Sequence, residues 1–280
     1  MRSQSGVFWR TFGKACRLAV NLLIFAVFFV PFYWMFLTAV KNLGQTLRLP
    51  PAFWVSAPHW ENFGKVFDAI PFFSMLKNNL VMTFGIMICQ FFTVIPAAYA
   101  FARFKFAGGR FLFGLTLATM MIPAQLVFLP LFLMFSKMGL VNSYASLILP
   151  WATSSFAIFM LRQTFKQVPQ ELIEAAKLDN ASEWKIIFKL MLPIAKPTIV
   201  TLGLITFILN WNDYFWPFVL TTNNAVRTLP VGITSLNIVD GGVKYHILMA
   251  GNVLLVAPAL AVFLFAHKQI IKAFTYMGGK

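Results

Sequence analysis

Six stretches of this chain, at 18–40, 79–101, 111–135, 144–161, 197–220 and 246–266, are apolar over lengths that a water-soluble fold has no use for. A helix needs about 20 mainly apolar residues to cross a hydrocarbon core about 30 Å thick. Composition agrees: 59% of residues are hydrophobic and 11% charged, whereas a soluble domain carries about 25% charged residues. The expected fold is all-α, a polytopic membrane protein of six transmembrane helices. Pro123 and Pro130 fall inside the third run, which a membrane helix tolerates when neighbours satisfy the freed carbonyls. The basic leader Arg2, Arg10, Lys14, Arg17 resembles that of a signal peptide. The run behind it is longer than a secretory apolar region of about 7–15 residues, so an uncleaved span is expected. Between the first two spans, Pro50, Pro51, Trp54, Pro58 and Trp60 suit a loop at a membrane interface.

A net charge of +15 invites a nucleic-acid reading. However, the basic residues form no face; they sit in the gaps between apolar runs. With the N-terminus in the cytoplasm, segments 1–17, 102–110, 162–196 and 267–280 hold 16 of the 23 Lys and Arg, and seven lie opposite. Positive charge favours the cytoplasm, which supports six spans with both ends inside. The layout is then a cytoplasmic segment 1–17, a membrane domain 18–266 with a cytoplasmic loop 162–196 and an external loop 221–245, and a cytoplasmic tail 267–280. Cys16 and Cys89 are unpaired thiols by their placement, and His59, His246 and His267 are too scattered for a metal site. There is no nucleophile with its base, and no Gly-rich phosphate loop, so neither an enzyme nor an ATP site is expected in this chain.

The loop 162–196 is patterned. Pro169 opens a helix with Glu171 and Glu174 in its early turns, where carboxylates favour the positive helix end. Leu172, Ala175, Ala176 and Leu178 supply an apolar stripe, and Asp179-Asn180 ends it. Asn is the ordinary residue that best tolerates the left-handed conformation at a helix C-terminus. Ser182 caps a second helix in which Trp184, Ile187, Phe188 and Met191 recur until Pro193. The pattern predicts two short helices around a tight turn, with one apolar face turned outward. By composition alone, such a pair also suits an amphipathic helix resting on lipid.

At these residues the chain resembles the EAA loop of ABC-importer membrane subunits. Glu174-Ala175-Ala176, Asn180, Leu190 and Leu192-Pro193 match its spacing throughout, with Asn for the usual Gly and Leu190 for a common Ile. Ile122-Pro123, Leu129-Pro130, Met138-Gly139, Asn142, Leu149-Pro150, Arg162-Gln163 and Met249-Ala250-Gly251 are similar to segments of maltose-type carbohydrate permeases, in particular the G-type half. So are Trp211-Asn212-Asp213, Trp216-Pro217 and the run from Thr228 to Gly232. The resemblance implies a multi-pass subunit of a bacterial cytoplasmic membrane. Its partners would be a second homologous permease subunit, two ATPase subunits that bind ATP and Mg, a solute-binding protein and membrane lipid. The solute would be a sugar or sugar-like molecule. The loop, including Leu178 and Asp179, would fit a cleft on the ATPase.

Asp213 is the only acidic residue inside an expected span, beside Asn210, Trp211, Asn212 and Trp216. Intramembrane carboxylates usually face the bundle interior or a watery cavity. Amides, a carboxylate and indoles suit a sugar ring; they equally suit a polar lock between helices with Trp at the interface. Gln125, Asn78 and Asn79 carry the same two readings. In the resembled family the external loop reaches the binding protein, so Asn223, Asn224, Arg227, Asp240, Gly241 and Gly242 are candidates for that contact; a solvated connection is the other reading. A secondary carrier working without an ATPase is the alternative function, though one buried acid is thin for it.

Overall fold

The computed structural model describes residues 2–237 and 244–278. Among them the elements are helical and no strand occurs. In chain order the first are α1 (Arg2–Ala39), α2 (Leu43–Leu47), α3 (Glu61–Ala69), α4 (Phe72–Arg103) and α5 (Gly109–Thr119). A 3-10 turn at Ala124–Val127 leads to α6 (Phe128–Lys137), and α7 (Tyr144–Ile148) passes through a second such turn before α8 (Ser155–Lys166). Then come α9 (Gln170–Leu178), α10 (Glu183–Ile186), a π-helical turn Ile187–Met191, α11 (Leu192–Ile194) and α12 (Lys196–Trp211). The last are α13 (Phe215–Leu220), α14 (Leu229–Ser235) and α15 (Tyr245–Gly278).

Three apolar segments, Cys16–Ala39, Phe72–Arg103 and Tyr245–Phe265, are each long enough to cross a membrane as one helix. The other three expected spans are not single helices. The third breaks after α5, where Pro123 removes a backbone donor, and its halves meet at 92°. The fourth breaks at Ala152–Ser154 with a 42° bend, and the Ser154 hydroxyl accepts from the Ala157 N–H to start α8. The fifth, expected at 197–220, stops at Trp211; α12 reaches spanning length only together with Glu183–Ile194, at 82° to it. Proline at 130 sits inside α6 without breaking it, so proline position alone does not place the bends. The second span begins at Phe72 rather than 79, because Pro71 can lead into a helix whose first N–H groups need no intrahelical partner.

The chain forms two compact units, one of residues 1–70 with 233–256 and one of 71–232 with 257–280. In the first, the expected interfacial loop is folded rather than slack. Asn42 and Gln45 close a capping box that nucleates α2. The buried Asn62 amide donates to the carbonyls of Ala39 and Lys41, and the buried Lys41 ammonium donates to Ala52 while lying 4.4 Å from the Trp34 ring centre. In the second unit the apolar core gathers α4, α8 and the 173–202 segment around Ala98, Leu161, Phe165, Ile186 and Met191. A further cluster packs Met82, Ile86, Phe135, Leu147, Trp216 and Leu220.

Candidate functional site

The α9–α10 segment is a helical hairpin. Its turn is closed by the two backbone bonds of a Schellman motif: Asn180 N–H donates to Lys177 at 3.0 Å, and Ala181 N–H to Ala176 at 3.0 Å. Asn180 takes the left-handed conformation, φ 53°, that this motif demands. Ser182 then accepts from the Lys185 N–H and starts α10, as its position predicts. The helix does not stop at Pro193; it widens into a π turn and runs on to Ile194.

The apolar stripe divides between two faces. Ile173, 2% exposed, and Ala176 pack inward on the core, whereas Leu172, Ala175 and Leu178 face out, the last 84% exposed. Glu174 lies on the exposed side, accepting from the Gln170 amide at 3.3 Å. Trp184 and Phe188 of the second arm are also exposed, stacked at 6.1 Å. Asp179 and Pro193 are exposed, and Leu190 and Leu192 are half-buried against the core. One unpartnered apolar surface with an acid in it therefore rests on a firmly packed base.

That base includes contacts between residues far apart in sequence. The buried Tyr99 of α4 donates its hydroxyl to Glu183 Oε2 at 2.5 Å, and Lys177 pairs with Glu183 Oε1 at 2.8 Å. Arg103, one turn on, donates to the carbonyls of Phe165 and Val168 and to Gln170 Oε1. Arg162 donates to Phe101 and stacks on Phe113 at 3.9 Å. Sequence spacing carries no signal for these pairs.

The candidate substrate residues separate by role. Trp211 is fully buried, its ring stacked on Phe207, and Trp216 is buried edge-on to Trp151. Neither indole offers a free face in this structure. Asn78 is buried and committed: its amide donates to the carbonyls of Ala225 and Arg227, and it accepts the Tyr144 hydroxyl at 2.6 Å. The Asn79 amide donates to the Trp211 carbonyl at 3.2 Å. Asp213, half-buried in the break between α12 and α13, accepts from the Trp216 N–H at 3.4 Å. Asn210 and Asn212 donate to carbonyls four residues back, and Gln125 is exposed in the 92° bend. Asn210 thus sits in the last turn of α12, and Asn212 and Asp213 lie in the break that follows, their N–H groups turned back onto the carbonyls of Ile208 and Asn210.

The described part of the loop expected outside is anchored by Asn142, at φ 62°. Its side-chain oxygen accepts from the N–H groups of Thr222 and Asn223, and its amide donates to the Thr222 hydroxyl. Asn223 accepts from the Ala225 N–H, and Asn224 from Arg227 Nη1. Asp240, Gly241 and Gly242 lie outside the described residues.

Residues 93–276, most of the second unit and the hairpin included, match the family described as binding-protein-dependent transport system inner membrane component. The arabinooligosaccharides transport system permease protein AraQ of Halalkalibacterium halodurans is 33% identical over 87% of this chain and 86% of its own length. The sn-glycerol-3-phosphate transport system permease protein UgpE of Yersinia pestis bv. Antiqua is 30% identical over 92% of this chain and 94% of its own. A chain from the crystal structure of a bacterial ABC transporter involved in import of the acidic polysaccharide alginate superposes with a TM-score of 0.80. It is 22% identical and covers 92% of this chain and 96% of that one, a likeness of fold.

Proposed function

This chain belongs to the family of binding-protein-dependent transport system inner membrane components, and we infer that it forms one half of an ATP-driven importer's translocation path. The other half is a second homologous permease subunit. Two ATPase subunits hold ATP and Mg in the cytoplasm, and an external solute-binding protein delivers the solute. Both termini lie in the cytoplasm, with 162–196 beside the ATPase and 221–245 toward the binding protein. The observation that carries this reading is the α9–α10 hairpin. It is capped at its turn and packed on one side, and it exposes Leu172, Ala175 and Leu178 around Glu174 on the other. A short rigid helix with an apolar face suits docking into a partner's groove and moving as a body. The chain reconstituted alone in liposomes is expected to show no solute uptake, and uptake appears only with ATPase and permease partners and ATP. Robust ATP-independent uptake by the isolated chain would turn the assignment toward a secondary carrier.

The solute is polyhydroxylated. The relatives carry names for arabinooligosaccharide and glycerol phosphate transport, and the structural neighbour imports an acidic polysaccharide. Asp213, with Asn210 and Asn212, faces the path at the break after α12. Irregular backbone at membrane depth is tolerated where it is buried in protein or lines a water-filled cavity. The buried indoles of Trp211 and Trp216 support the walls of that path, and Asn78, Asn79 and Gln125 flank it. Asp213→Asn keeps the shape and removes the charge. It is expected to raise the half-saturating solute concentration roughly tenfold, by the loss of one charge-assisted hydrogen bond, with the yield of assembled complex unchanged. Lower yield with parental uptake per complex would instead mark Asp213 as a lock between helices.

A further inference from the structure

We propose that α4 is the rod that carries movement of the α9–α10 hairpin across the membrane, with Tyr99 and Glu183 as its positioning residues at the driven end. The inference rests on the reading that the hairpin receives the ATPase's motion.

The driven end is bolted to both arms of the hairpin. One carboxylate, Glu183, accepts the buried Tyr99 hydroxyl through Oε2 and pairs through Oε1 with Lys177 of α9. Arg103 adds a bond to Gln170 at the start of α9. At the other end, Asn78 holds the carbonyls of Ala225 and Arg227 in the external loop and is itself held by Tyr144. Its neighbour Asn79 holds the Trp211 carbonyl, where α12 ends and the break containing Asp213 begins. Between these ends, Gln90 and Thr93 donate to the carbonyls of Trp151 and Ala152.

Asn78 and Tyr99 stand 21 residues apart in one helix. At about 1.5 Å per residue that is about 32 Å, close to the roughly 30 Å of the hydrocarbon core. On the expected topology, that separation sets the two groups of bonds at opposite membrane faces. The other helices packed on the hairpin do not offer the same path. α8 belongs to a pair bent by 42°, and α12 meets the hairpin's second arm at 82°, whereas α4 is continuous with Pro96 inside it. Bends absorb displacement, whereas a continuous helix fixed at both ends transmits it, and rigid elements of this kind are among the carriers of coupling between distant sites.

The test uses the assembled complex with its ATPase and binding protein, and two substitutions that each delete one hydroxyl and keep the ring. Tyr99→Phe frees the driven end, and Tyr144→Phe loosens Asn78 at the far end. Solute imported per ATP hydrolysed is expected to fall roughly three- to tenfold for each, at parental complex yield. Because the two bonds act in series, the double variant should be no worse than the poorer single one. Glu183→Gln, which keeps an acceptor for Tyr99 and loses the ion pair, should fall between parent and Tyr99→Phe. An unchanged ratio in both single variants, or losses that multiply in the double variant, would overturn the rod. A lowered melting temperature with an unchanged ratio would reduce these residues to packing and overturn it too. Glu174→Lys separates this from the docking reading. If it abolishes ATPase association while Tyr99→Phe stays coupled, docking stands and the rod is wrong; if it has no effect while Tyr99→Phe uncouples, the rod stands and the docking site lies elsewhere.

Discussion

Glu174→Lys is expected to leave the chain folded and in the membrane while transport falls to background. Glu174 lies on the exposed face of α9, and its polar contact among the described residues is the amide of Gln170 on the same helix. Little of the fold therefore depends on it. Reversing its charge changes the interaction with the helix dipole by only about 0.3–1 kcal/mol. The larger loss is at the surface that Leu172, Ala175 and Leu178 share with it. If that surface seats in an ATPase groove, the carboxylate is desolvated there against a donor, and removing one member of such a pair costs roughly 2–5 kcal/mol. A lysine adds like-charge repulsion to that. The measurement is ATPase subunit recovered per mole of membrane-extracted chain, alongside solute uptake. Normal assembly with parental uptake would remove Glu174 from docking altogether.

The hairpin was legible because its signals are local. Proline, acidic first turns, an Asn at the turn and a Ser three residues before a bonded N–H are all read within a few positions, and the Schellman bonds and the Ser182 cap sit where they predict. Which side of α9 is buried was not legible. Leu172, Ile173, Ala175, Ala176 and Leu178 put apolar groups on both faces, so periodicity cannot say which one meets α8 and α4 and which stays open. The bends had the same difficulty. Pro123 and Pro130 look alike in the sequence, yet one lies at a 92° break and the other inside α6. Trp211 reads from its polar neighbours either as a sugar platform or as part of a lock between helices; its burial against Phe207, and the bond to its carbonyl from Asn79 132 residues away, carry no sequence signal. The Tyr99–Glu183 bond spans 84 residues, beyond anything spacing can show.

Replacing Asn180 separates the backbone requirement of the hairpin turn from its side chain. Asn180→Gly is expected to be nearly neutral, since Gly enters the left-handed region without a steric cost and the exposed Asn side chain packs on nothing that the core needs. Asn180→Val is expected to fail. A β-branched residue held at φ 53° is strained by roughly 1–3 kcal/mol, and relief requires moving out of that region. If φ relaxes, the Asn180 and Ala181 N–H groups leave the carbonyls of Lys177 and Ala176, and the direction of the chain into Ser182 changes. The Lys177–Glu183 pair that spans the turn at 2.8 Å then parts, and Glu183 is drawn away from Tyr99. Strain and lost contacts thus act on the same few residues, so a cost too small to unfold the membrane domain still misplaces both arms of the hairpin. The expected result is normal membrane insertion, a lowered melting temperature of the solubilised complex and at least about a tenfold loss of uptake per complex, since 1.4 kcal/mol at one equilibrium is tenfold. Parental stability and uptake for Asn180→Val would mean that the left-handed turn is not required by the working protein.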